Sequence, residues 1–107
     1  MTTFDDRKDA FEKKYAHEQK LGFEVEAKTS KLFGLWAASQ LGLIDSDAQT
    51  YAGEVVATNL DEPGFDDILR KVAADFAEKG LNISDHTMKV ELEKCVTEAR
   101  NQILAKG

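Results

Sequence analysis

Apolar positions along the chain recur every three or four residues, and sustained alternation of apolar and polar positions is absent. The pattern predicts helices throughout. Leu21, Val25, Leu32, Leu35 and Trp36 mark one face of a first helix that could run from about Asp5 to Leu41. Gly42 then stands where a left-handed helix end forms readily. In "IDSDAQ", Asp45 or Ser46 is placed to cap a second helix, and Gln49 to close a capping box from Ser46. That helix carries Ala48, Tyr51, Ala52, Val55, Val56 and Leu60. It should end at "DEPG", because Pro63 disfavours helix at Glu62. A third helix shows Ile68, Leu69, Val72, Phe76 and Ala77 and stops at Gly80. Ser84 caps a fourth, with Met88, Leu92, Cys95, Val96, Ala99, Ile103 and Leu104 along one stripe. Short connections favour antiparallel neighbours. The expected fold is all-α: an antiparallel four-helix bundle.

The first helix does not fit inside such a bundle. At 1.5 Å per residue, helices two and three would be roughly 25 Å long, the fourth roughly 34 Å and an unbroken first helix roughly 55 Å. Residues 1–20 offer only Phe4, Phe11 and Tyr15 as large apolar side chains. Fixing a residue's backbone costs about 1–2 kcal/mol, whereas burying one such side chain returns about 1.5–3 kcal/mol. Charge pairs such as Lys8–Glu12, Asp9–Lys13 and Lys14–Glu18 add a few tenths each. The expected division is therefore an N-terminal segment, 1–20, and a helical bundle, 21–107. The segment should project from the bundle or be disordered when free, competent for helix and frayed until another protein holds it.

Charge supports that division mildly. The chain of 107 residues carries a formal charge of −6, yet five bases and five acids cancel within 1–20. An acidic chain is a poor electrostatic match for nucleic acid or anionic lipid. No apolar run suggests a secretory signal or a membrane span. The one cysteine, Cys95, cannot form an internal disulfide, which suits a reducing, cytoplasmic compartment.

Candidate chemistry is sparse. "HEQKL" begins like a zinc motif but has Leu21 where the second histidine belongs. "DSDAQT" begins like a calcium loop but has Thr50 where glycine is needed and Val56 where the bidentate glutamate belongs. No glycine loop cradles phosphate, and no base is placed to activate Cys95, which reads as a small core residue. His86 reads as a surface residue in the first turn of helix four. His17 reads the same way, with a pH-tuned interface as its alternative. Asp61, Glu62, Asp66 and Asp67 straddle a turn and a helix start, where carboxylates suit the helix dipole. No catalytic residue, cofactor or metal ligand is expected.

"TTFDDRKDAFEKKYAHEQK", "KLFGLWAASQLGL" and "YAGEVVATNLDEPGFDDILRKVAADF" resemble the zeta subunit of alphaproteobacterial F-type ATP synthases, an ATPase-inhibitor family. The resemblance spans essentially the whole chain. It implies a helical bundle without enzymatic chemistry, cytoplasmic and peripheral to the inner membrane through the ATP synthase. Its partner would be the catalytic head, with the N-terminal helix entering an alpha/beta interface near the gamma shaft and blocking ATP hydrolysis. On this chain that role falls on Phe4, Phe11 and Tyr15 as apolar contacts. Asp5, Asp6, Arg7, Lys8, Lys13, Lys14 and Glu18 would supply charged ones. Two other readings stand beside it: a nucleotide-binding regulatory module, and an adaptor or assembly factor that binds the synthase without slowing it.

Overall fold

The computed structural model describes the backbone of residues 3–61 and 64–106, and side chains of 22–59 and 64–105. Four helices follow one another: α1 (Thr3–Gln40), α2 (Asp45–Asp61), α3 (Asp66–Glu78) and α4 (Asp85–Lys106). Among the described residues there is no strand. Glu62, Pro63 and the side chains of Leu21, Leu60 and Asp61 lie outside the described set.

Two glycines end helices as their spacing predicts. Gly42 has φ +80°, and the Leu43 and Gly42 amides donate to the Ala38 and Ser39 carbonyls at 2.9 and 3.1 Å. Gly80 has φ +74°, and Leu81 and Gly80 donate to Phe76 and Ala77 at 2.9 and 3.0 Å. Both are Schellman closures, which use otherwise unpaired end carbonyls and turn the chain back along the bundle. Ser84 caps α4, its Oγ accepting from the Thr87 amide at 3.1 Å. The start of α2 departs from expectation. The Ile44 carbonyl accepts the first bonds, from Asp47 and Ala48, and Asp45 sits at φ +52°. Among the described residues no side-chain bond joins Ser46 to Gln49, so the capping box is not formed. The reversal out of the first closure is completed at Asp45, a residue type that tolerates the left-handed region.

The core lies between Phe33, Ala37 and Ala38 of α1, Tyr51 and Val55 of α2, Ile68, Val72 and Phe76 of α3, and Met88, Leu92 and Cys95 of α4. The α1–α2 contact is the closest. A Cβ on Gly34 would stand 2.9 Å from the Ala52 Cα, and Gly34, Ala37, Ala38 and Ala52 are all buried. Leu35 is half-exposed and outside the core, and Ala77 and Leu104, which are exposed, lie outside it too. Phe33 holds the central α1 position instead. Trp36 is half-buried rather than interior, stacked on Phe33 at 5.4 Å and edge-on to Phe76 at 5.8 Å. A polar brace joins α2 to α3. The Tyr51 hydroxyl donates to Asp75 Oδ2 at 2.7 Å, and Lys71 Nζ reaches the same oxygen at 3.2 Å. The Lys71 ammonium also lies 5.2 Å from the Tyr51 ring centre.

The molecule measures 65 × 24 × 21 Å. The long dimension is roughly twice the ~33 Å that α4 covers at 1.5 Å per residue. The excess is α1, which runs on past the end of the bundle.

Candidate partner-binding site

The first buried residue described on α1 is Val25. Phe4, Asp5, Asp6, Arg7, Lys8, Phe11, Lys13, Lys14, Tyr15 and Glu18 all precede it on the same helix. Their side chains, and that of His17, lie outside the described residues, so the helical register alone places them. At about 100° per residue, positions 4, 11 and 15 fall within about 40° of one another. Positions 8 and 18 border that stripe and position 7 comes next. Positions 6 and 13 fall on the opposite side of the helix, so the expected charged contacts do not share one face.

The same register continues into the bundle. Positions 22, 26, 29 and 33 repeat the direction of 4, 11 and 15, and Thr29 and Phe33 are fully buried. The direction that buries Thr29 and Phe33 in the bundle is thus also that of the N-terminal stripe, with the exposed Gly22 and the half-buried Glu26 between them.

Where α1 leaves the bundle, two apolar grooves open. One, of about 420 Å³, is lined by Gly22, Val25, Phe65, Val96 and Leu104, with Glu26 and Arg100 beside it. The other, of about 620 Å³, is lined by Phe23, Ala27, Val56 and Ile103, with Glu24, Lys28 and Lys31 beside it. The apolar periodicity does not single out Phe23. Position 23 stands half a turn away from the direction of Val25 and Leu32, and its ring is left largely exposed on the wall of the second groove, beside Val56 and Ile103.

His86 is exposed on the first turn of α4, and Asp66 and Asp67 occupy the first turn of α3, beside its free amides. Burial pushes the Cys95 thiol up to about 11, with the Glu91 carboxylate adding to the effect, so at neutral pH it is protonated and unreactive. Among the described residues no group of three or more His, Cys, Asp or Glu side chains could hold a metal ion. No helix among them is long and apolar enough to cross a membrane.

A small helical bundle carrying one overlong amphipathic helix, with apolar grooves at its root, has the build of a protein that acts by contact with another. The chain belongs to the ATPase inhibitor subunit zeta family, whose model matches residues 1–102, the N-terminal stripe and the bundle alike. A comparison with curated proteins finds no match.

Proposed function

We propose that the chain inhibits ATP hydrolysis by the F-type ATP synthase, and that residues 1–20 form the inhibitory element while 21–107 form the bundle that carries it. The observation that carries this reading is the excess length of α1, which extends a single helix past its bundle partners. The helix enters a catalytic interface between the alpha and beta subunits, reaches toward the gamma shaft and blocks rotation in the hydrolysis direction. Phe4, Phe11 and Tyr15 anchor it by burying apolar surface. Lys8, Glu18 and Arg7, which border that stripe in the helical register, orient it. Asp5, Asp6, Lys13 and Lys14 contribute less, because charges at a wet rim act on association rate more than on affinity.

The test is ATP hydrolysis by purified ATP synthase with the full chain or with residues 1–19 deleted. The truncation keeps every buried residue from Val25 onward, so it should fold with matching bundle helicity and lose most inhibition. In the full chain, Phe11→Ala and Tyr15→Ala should weaken inhibition more than Lys14→Ala. A folded truncation that inhibits as strongly as the full chain would move the inhibitory site into the bundle. Binding to the synthase without slowed hydrolysis would leave the chain an adaptor.

A further inference from the structure

Three large apolar side chains stand exposed among the described residues: Phe23 at 61%, Ile44 at 72% and Leu104 at 57%. Ile44 lies alone in the α1–α2 connection. Phe23 and Leu104 lie at the opposite end, each on the wall of one of the two grooves at the root of α1. An isolated exposed apolar residue calls for no explanation, whereas a cluster around grooves marks a contact surface.

Dimensions indicate what meets that surface. Positions 3–21 of α1 span about 28 Å, and a helix with its side chains is about 10–12 Å across. The bundle behind them is more than 20 Å across, since the two short dimensions of the molecule are 24 and 21 Å. On the inhibitory reading the cleft takes one helix, and the bundle behind that helix is about twice as wide. At full insertion the end of the bundle, with Phe23, Phe65, Ile103 and Leu104, is pressed against the rim of the cleft.

Resting on the inhibitory reading above, we propose that this end is a docking collar for the protein surface around the cleft that takes the helix. The rim offers apolar side chains of the leucine or phenylalanine class to the grooves. The helix blocks the motor, and the collar sets how long the inhibitor stays. Charges around the collar alternate in sign, with Glu24 and Glu26 against Lys28, Lys31 and Arg100. Among the described residues there is no single-sign field to draw in an anionic lipid surface or a nucleic acid. An apolar protein surface is the better match.

The experiment compares the full chain with Phe23→Ser/Leu104→Ser and with Ile44→Ser, titrated into purified ATP synthase. The double variant should require about tenfold more protein for half-inhibition, equivalent to about 1.4 kcal/mol. It should dissociate faster and still reach wild-type inhibition at saturation. Ile44→Ser should match wild type. Both replaced residues are exposed, so melting curves should coincide; if the double variant melts early, Leu104→Ser alone carries the comparison. Inhibition that survives deletion of 1–19 would sink the inhibitory reading itself. Inhibition abolished by that deletion but unchanged in the collar variants would overturn the collar alone. Sedimentation of the free proteins covers the other occupant: a wild-type dimer that the double variant abolishes would assign the surface to a second copy of the chain, against the proposal.

Discussion

Gly34→Ala should destabilise the bundle, although alanine is the better helix former. Gly34 lies inside α1, where the exchange by itself gains about 1 kcal/mol. The new Cβ would stand 2.9 Å from the Ala52 Cα, 3.1 Å from the Val55 Cβ and 3.3 Å from the Ala52 Cβ. Carbon atoms pack best at about 3.5–4.0 Å. The nearest of these atoms belongs to the α2 backbone, so no side-chain rotation relieves the contact and the two helices must part. Overpacking of this kind costs about 1–3 kcal/mol, and a backbone obstacle places Gly34 toward the upper end. The net loss should be about 1–2 kcal/mol, or about 4–8 °C in Tm per kcal/mol. Gly53→Ala is the internal control. Gly53 is exposed inside α2 and its Cβ would meet nothing within 4 Å, so the propensity gain should appear undiminished. Urea unfolding followed by circular dichroism measures both. If Gly34→Ala is as stable as wild type while Gly53→Ala gains, the close α1–α2 approach is not there.

Tyr51→Phe should cost about 1.5 kcal/mol at pH 7, the lower end of the range for a bond to a charged acceptor because Asp75 keeps some contact with solvent. Burial, reinforced by the bond to Asp75, raises the Tyr51 ionisation above its ordinary value of 10.0. The stability this linkage supplies is present below pH 10 and lost as pH rises beyond it, and Tyr51→Phe should remove that part of the alkaline decline in melting experiments. Cys95 should react with a disulfide reagent at pH 8 far more slowly in the folded protein than in urea. Its thiol, raised to about 11, withdraws stability as pH climbs from its ordinary 9.0 through that value. Equal labelling rates in the two states would contradict its burial.

What the sequence disclosed was what short-range rules control. Gly42, Gly80 and Ser84 announced their helix ends because each closure involves a few neighbouring residues and one conformational requirement. The helices and their order followed from periodicity. The core of α1 followed only in part: of the stripe Leu21, Val25, Leu32, Leu35 and Trp36, Val25 is buried, Leu32 and Trp36 pack against the core from its edge, Leu35 stays outside it, and the Leu21 side chain lies outside the described residues. The closest packing instead uses Phe33 with Thr29, Ser30, Gly34, Ala37 and Ala38. Small residues carry little weight in a hydrophobic pattern, yet they allow backbones to approach, and which face they serve depends on a partner helix distant in sequence. The capping box at Ser46 failed for a related reason: the turn before it consumed Asp45. At the candidate site, the stripe of Phe4, Phe11 and Tyr15 follows from helical spacing alone, their side chains lying outside the described residues. The collar could not be read that way, because Phe65 and Leu104 come to line one groove, and Phe23 and Ile103 the other, only once the helices are assembled.

Gly22 joins those two halves of the site, and its replacement asks whether the helix must be straight in the complex. It is exposed, it lies within α1 where the helix leaves the bundle, and a Cβ there would meet nothing within 4 Å. Gly22→Ala therefore adds helix propensity of about 1 kcal/mol without a steric charge against it. If the inhibitory form is one continuous helix from the bundle into the cleft, that gain belongs to the bound state and half-inhibition should need up to about fivefold less protein. If α1 bends at Gly22 to bring the collar onto the rim, stiffening the joint opposes the bend, and inhibition should weaken although the free protein gains helicity. The helical register, which gives positions 4, 11 and 15 the direction of the bundle-facing Thr29 and Phe33, favours the straight form. A bend would break the alignment of the two stripes. Tighter inhibition is thus the expected outcome, read from hydrolysis titrations alongside circular dichroism. Weaker inhibition with raised helicity would refute the straight helix.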